Sequence, residues 1–493
     1  MLRHGLTASV RGLAQVKPTS RILNNVATST AAQLCSSRTR IYSASSIHPT
    51  IAIHNAIRSL STSTNSFARL SPSSSRRRTI RLENEQDYAT VYHPDNATPS
   101  SSASAPQQPS VTRALLFLFG FSALTFTGAA YYSLRETEHI ASEIRGSRDV
   151  FAHLSSFFSS SSSSSSSSIS DSQVWGPGVT EKALMTAKQH ETAQRLGLRM
   201  EYLVGWCQQL HLPQGVTEFL GRSYIILAEK YLDLSPAKQA VAPVVAVNSA
   251  VFLLWTIASV RRGKVGRGGG LWHWMNRNFV HRPSSNRPFT MLTSVFSHQT
   301  ALHFLFNNLA LWSIGGSALY YAKKHVDNST GISEASLTPH FVAFFTSAGI
   351  FAATVSHIVS AIRFKRLSCS SFHGVAFAMQ KTLANQGSLG SSGAVYSALV
   401  MSAFAFPDAQ LGIIFLPWVS VPIGMGVVGV VAMDVVGILR GWRMFDHWAH
   451  LGGAVFGCAY WYGGARMWEW VKESVVRWGG FGVAHESRSR LSV

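Results

Sequence analysis

Residues Ser388–Phe406 read SLGSSGAVYSALVMSAFAF, nineteen in a row without a charged side chain. About twenty such residues suffice for a helix to cross a bilayer. Working outward, runs of the same character cover 411–439 and 447–467 on the carboxy-terminal side, and 341–362, 298–321 and 244–260 on the amino-terminal side. These six candidate spans are rich in Gly, Ala and Ser, the residues that let helices approach closely where no hydrophobic force presses them together. A seventh run, Ala114–Leu134, stands apart upstream between Arg113 and Arg135. The expected fold class is therefore an all-α polytopic membrane protein, six core helices preceded by one amino-terminal transmembrane helix, a 1+6 arrangement. Composition agrees: charged residues make up 13% of the chain, about half the usual share of a soluble domain.

The basic excess is unevenly placed. Net charge is +20 over 493 residues, yet Met1–Leu82 alone holds twelve Lys or Arg and no acid. With Leu2, Leu6, Val10, Leu13 and Val16 at helical spacing among the basic residues, this segment reads as an organellar transit peptide; a secretory signal would need a compact apolar stretch. The surplus charge thus belongs to targeting, and no nucleic-acid partner is expected. Arg40-Ile41-Tyr42-Ser43 is similar to an arginine-at-minus-three site of the matrix processing peptidase, with the cut after Tyr42. Residues 1–42 are then a presequence, 43–112 a disordered basic Ser/Thr-rich linker and 113–135 the anchor. Residues 136–240 form a tether with ten consecutive serines, 159–168, and two amphipathic helices between Glu181 and Leu234, interrupted at Pro213 and Gly215; their expected role is a solvated spacer packed on the membrane domain. The core occupies 241–470 and a tail 471–493. Cys35, Cys207, Cys369 and Cys458 are scattered without CxxC spacing, so neither a disulfide framework nor a zinc site is indicated, and no cofactor or metal is expected.

Polar groups at membrane depth are expensive and mark function. Three sets stand out: His298, His303 and Asn307 at the head of the second core helix; Gly390-Ser391-Ser392-Gly393, with Tyr396 one turn on, at the head of the fourth; and Asp446, His447 and His450 at the head of the sixth. Even-numbered helices all enter from one face, so the three sets can meet at one depth. A serine hydroxyl needs a base to become a nucleophile, and imidazole is the usual base near neutral pH. Ser392 and His450 supply that pair. Attack on a carbonyl builds charge on its oxygen, which requires donors where the charge develops; the Ser392 N–H, His303 and Asn307 are the candidates. Asp434, near the end of the fifth helix, reads as a residue that hydrogen-bonds across the bundle or faces solvent, in preference to a third triad member.

GxSG opening one membrane helix, AHxxG opening another two helices later, and HxxxN on an earlier one resemble the rhomboid intramembrane serine proteases, over about Val241–Trp470. The presequence, the extra helix and the wording FDHWAHLGGAVFG resemble the mitochondrial branch, the presenilin-associated rhomboid-like proteases. The resemblance implies a rhomboid six-helix core with Ser392 as nucleophile and His450 as base, without a third acidic member. It further implies His303 and Asn307 in the oxyanion role, Tyr396 stacked on the catalytic imidazole, His298 as a structural loop-helix histidine, and Gly390 and Gly393 allowing close backbone approach. The implied substrates are single-pass membrane proteins of the mitochondrial inner membrane, including a dynamin-related GTPase; the lipid bilayer and the import peptidase are the other partners. A catalytically inactive scaffold would lack Ser392 or His450, both of which are present. A transporter would show internal repeats or paired mid-membrane charges. A metalloprotease fails as well, because His190-Glu191 has no second histidine at the required spacing.

Charge asymmetry sets the expected orientation. Core loops one, three and five carry thirteen basic residues, from Arg261 to Arg443, whereas the loop between the second and third core helices holds only Lys323 and Lys324. With the matrix as the positive side, the amino terminus and the active-site mouth both face the matrix. The glycine-rich fifth helix, with the segment to Phe445, is the expected gate for a substrate helix.

Overall fold

The computed structural model describes residues 107–155, 174–175, 179–265, 269–326, 331–369, 373–413 and 416–478. The presequence, most of the 43–112 linker and the serine run lie outside the described residues. Each apolar run carries a helix. The upstream helix α1 spans Val111–Ser155 and continues well past the expected anchor. An amphipathic pair follows, α2 (Glu181–Gln209) and α3 (Gln214–Leu232), broken at Pro213 as expected. The core comprises α4 (Pro236–Val265), the short loop helix α5 (Gly270–Asn278), α6 (Ala301–Ile314), α7 (Ser317–Val326), α8 (Thr338–Ser368), α9 (His373–Asn385), α10 (Ser392–Ala405), α11 (Ile423–Arg440) and α12 (His447–Trp478). By length and composition, α1, α4, α8 and α11 are each able to cross a membrane, and α10 is a shorter apolar helix.

Three expectations are corrected. The second core span is two helices, α6 and α7, separated at Gly315-Gly316, where a Cβ on Gly316 would lie 2.2 Å from the Ala237 carbonyl oxygen of α4. The first half of the fifth span is not helical: Gln410–Ile413 (β1) and Leu416–Pro422 (β2) pair antiparallel, and α11 starts only after Pro422. Pro417 and Pro422 oppose helix there, while Val419 and Val421 favour an extended chain. Finally, α12 runs to Trp478, so the first turns of the expected tail belong to the core.

Packing is tightest where side chains vanish. A Cβ on Gly453 of α12 would sit 2.1 Å from the Gly393 carbonyl oxygen of α10, and one on Gly393 would meet the Ala352 methyl of α8 at 2.4 Å. Ser397 Oγ then donates across the seam to the Gly453 carbonyl at 2.7 Å. Helices α8, α10 and α12 thus form one close-packed unit, with Phe341, Phe344, Phe345 and Met401 buried in it. Helix α1 leans on this unit through Ala130 and Leu134, and Phe126 stacks on Tyr460 at 6.1 Å. Its attachment ends in a buried polar cluster. Lys472 Nζ donates to the Ile332 carbonyl (2.5 Å) and pairs with Glu334 (3.2 Å) and Glu469 (2.8 Å). Glu334 also accepts from Ser133 Oγ of α1 (2.7 Å) and Trp468 Nε1 (2.8 Å).

Beyond the core, α2 docks on the charged extension of α1, where Lys188 bridges Glu136 (2.7 Å) and Glu191 (3.0 Å). The far half of the pair carries an exposed apolar set, Leu198, Tyr202, Trp206, Phe219 and Leu227.

Candidate active site

The site is assembled at three helix starts. Ser392 is the first residue of α10, so its N–H has no acceptor one turn back within the helix. Asp446 precedes α12 and caps it, its Oδ1 accepting from the Ala449 N–H at 3.1 Å while Ser356 Oγ of α8 donates to both carboxylate oxygens. Thr300 caps α6, accepting from the His303 N–H. Asp446 therefore has a capping role that orients the helix bearing His450.

The loop ahead of Ser392 is pinned from loop one. His281 and Ser388 exchange both backbone bonds at 2.9 and 2.8 Å, Gly390 N–H donates to the Ser294 carbonyl at 2.9 Å, and Ser284 Oγ donates to the Ala384 carbonyl at 2.6 Å. Burial pushes the His281 imidazole down to about 3, with His357 beside it adding to the shift. It is therefore neutral near pH 7, and its ring nitrogens lie 2.9 Å from Thr290 Oγ1 and 3.1 Å from His357 Nδ1. Gly390 has φ +124°, a conformation L side chains rarely adopt, and a Cβ there would lie 2.6 Å from the His303 ring. Both facts require glycine at this position.

Ser392 Oγ lies 2.9 Å from His450 Nε2. Tyr396 stacks on the His450 ring with centroids 4.5 Å apart and planes 14° from parallel, the arrangement that the family resemblance implies. His298 Nε2 faces Ser391, accepting from its N–H at 3.4 Å and lying 3.2 Å from its Oγ, so it holds the residue before Ser392. His303 packs edge-on against His298, centroids 5.0 Å apart, and touches Gly390. The Asn307 amide donates one N–H to the His303 carbonyl of its own helix at 2.9 Å, which fixes the amide and leaves its second N–H as a donor.

Asp434 takes one of its two expected readings: it does not face solvent but hydrogen-bonds across the bundle. It is 1% exposed, and its carboxylate lies within hydrogen-bond reach of Tyr396 on α10 and of His447 and His450 on α12. The clue in the sequence was its isolation, an acid alone in an apolar run. Asp434, His447 and His450 together have the donor set of a metal site; the hydrogen bonds among them already satisfy the carboxylate.

The Rhomboid domain family matches residues 285–466, which contain Ser392, His450, Tyr396, His298, His303, Asn307 and Asp434. The chain carries a rhomboid domain. Its sequence is 31% identical to the mouse presenilin-associated rhomboid-like protein, mitochondrial, over 52% of this chain and 55% of that one. It is 26% identical to Rhomboid protein 1, mitochondrial, of Saccharomyces cerevisiae, over 46% and 53%. RHOMBOID-like protein 12, mitochondrial, of Arabidopsis thaliana matches at 25% over 45% and 58%. The chain spans about half the length of the curated relatives it matches. No solved structure matches it. Of the two helices within the rhomboid domain long and apolar enough to cross a membrane, α8 and α11, α11 is the less enclosed: Met425, Val428 and Leu439 are exposed, and only Ile423, Asp434 and Gly437 are buried.

Proposed function

We propose that this protein is an intramembrane serine endopeptidase of the mitochondrial inner membrane. The observation that carries the reading is the 2.9 Å approach of Ser392 Oγ to His450 Nε2 at the heads of two close-packed helices. In the proposed reaction His450 takes the hydroxyl proton as Ser392 attacks the scissile carbonyl. The oxyanion is met by the Ser392 N–H, by His303 and by the second N–H of the Asn307 amide. His450 then protonates the leaving amine, and water releases the acyl group from Ser392. Because a membrane helix keeps its backbone bonded internally, the substrate must unwind near the site first. Helix α11 and the segment to Phe445 form the gate, a role supported by the slight enclosure of α11. The substrates are single-pass membrane proteins cut in or near their transmembrane helix, an inner-membrane dynamin-related GTPase among them, and the matrix processing peptidase trims the presequence after Tyr42.

The test compares amino termini of membrane proteins in cells carrying the wild-type chain or Ser392→Ala. New termini in or beside transmembrane segments should appear only with the wild type; identical sets would reject the reading. Asn307→Ala should lower the cleavage rate by about 10²- to 10³-fold, the usual effect of one oxyanion donor, measured on a transmembrane substrate in proteoliposomes. A loss under threefold would remove Asn307 from that role.

The amino terminus and the active-site mouth face the matrix in this proposal, as loop charges favour. A cysteine in loop one, in a chain lacking its native cysteines, should resist an impermeant thiol reagent in mitoplasts and react after the inner membrane is opened. Labelling before opening would reverse the topology.

A further inference from the structure

We propose that Asp434 is the positioning carboxylate of this site, so that the catalytic unit is a Ser392–His450–Asp434 line rather than the two-residue unit that the family resemblance implies. The inference rests on the reading of Ser392 and His450 as nucleophile and base. His450 Nδ1 lies 3.0 Å from Asp434 Oδ1 and 3.2 Å from Oδ2, on the side of the ring opposite Ser392. An ionised carboxylate only accepts hydrogen bonds. His450 must therefore carry its proton on Nδ1, which leaves the Nε2 lone pair facing Ser392 Oγ at 2.9 Å, the tautomer a general base requires. The same carboxylate then faces the positive charge that the imidazole acquires when it takes the hydroxyl proton.

The acid itself is held from two further sides. Tyr396 donates to Oδ2 at 2.6 Å while its ring covers His450, so one residue fixes both the carboxylate and the plane of the base. His447 Nδ1 lies 2.6 Å from Oδ1, one turn before His450 on α12. Gly437 makes this approach of α11 to α12 possible, because a Cβ there would lie 2.4 Å from the His447 ring. Asp434 is also on the helix assigned to the gate. Movement of α11 away from α12 would separate the acid from the base, so closure of α11 over a substrate and completion of the catalytic line are the same event.

The experiment measures kcat and KM of the full chain in proteoliposomes for the wild type, Asp434→Asn and Tyr396→Phe. Asp434→Asn keeps the side chain's shape but removes the charge and turns one acceptor oxygen into a donor amide; kcat should fall by about 10²- to 10⁴-fold, as in other serine hydrolases that lose this acid, with KM little changed. Tyr396→Phe keeps the stack and loses one bond to the acid, and should lower kcat several-fold in the same direction. A purely structural Asp434 would leave kcat of Asp434→Asn within threefold of wild type, and that result would overturn the proposal. Should Asp434→Asn fail to fold, proton NMR of the wild-type chain decides. A strongly downfield ring N–H signal that disappears in His450→Ala is expected, and its absence overturns the proposal. If Ser392→Ala remains active, the reading of the site fails first; if only the Asp434 and Tyr396 results fail, the two-residue unit stands.

Discussion

Replacing Ser392 or His450 by alanine is expected to reduce cleavage of a transmembrane substrate by about 10⁵- to 10⁶-fold, to the level of an empty membrane. The two groups act as one unit, since the hydroxyl is a weak nucleophile without the imidazole and the imidazole has nothing to activate without the hydroxyl. The double variant should therefore be no slower than either single one. Neither change disturbs the helix seams: the closest contacts of α10 and α12 are made by Gly393, Ser397 and Gly453. Both variants should insert normally and resist trypsin as the wild type does. Rates measured in proteoliposomes with one labelled substrate provide the check, and near-normal activity in either single variant would exclude the pair.

The largest stability effect should come from Lys472→Ala, about 3–5 kcal/mol, the usual cost of breaking a fully buried ion pair by removing one partner. Lys472 and Glu334 are both fully buried. Removing the ammonium strands Glu334 between Ser133 and Trp468, which tie α1 to α12. Removing both fully buried charges together, in Lys472→Met with Glu334→Gln, should cost less than Lys472→Ala alone, because the Glu334 charge is then removed along with the ammonium that faces it. Unfolding in mixed micelles, followed by tryptophan fluorescence, measures the difference. A loss below 1 kcal/mol for Lys472→Ala would mean that the cluster contributes little to holding α1.

Much of this architecture was legible in the sequence because its signals are local. Apolar run length located the helices, helix heads carrying serine and histidine pointed to Ser392 and His450, and the family resemblance implied the Tyr396 stack. What the runs hid depends on distant contacts or on competing chemistry. The prolines at 417 and 422 turn half of an apolar run into a hairpin. Lys472 falls in the expected tail, although its partner Glu334 lies more than 130 residues upstream. Asp434 was harder still. Only the approach of α11 to α12, permitted by Gly437, turns an isolated acid into the partner of two histidines.

The most direct test of the central claim is chemical. A fluorophosphonate phosphorylates an activated serine oxygen and leaves other serines unmodified. Incubated with the full-length chain in proteoliposomes and mapped by peptide mass spectrometry, it should mark Ser392 and no other serine, with no adduct in His450→Ala. Undiminished labelling of Ser392→Ala, or a wild-type adduct on another serine, would contradict the account.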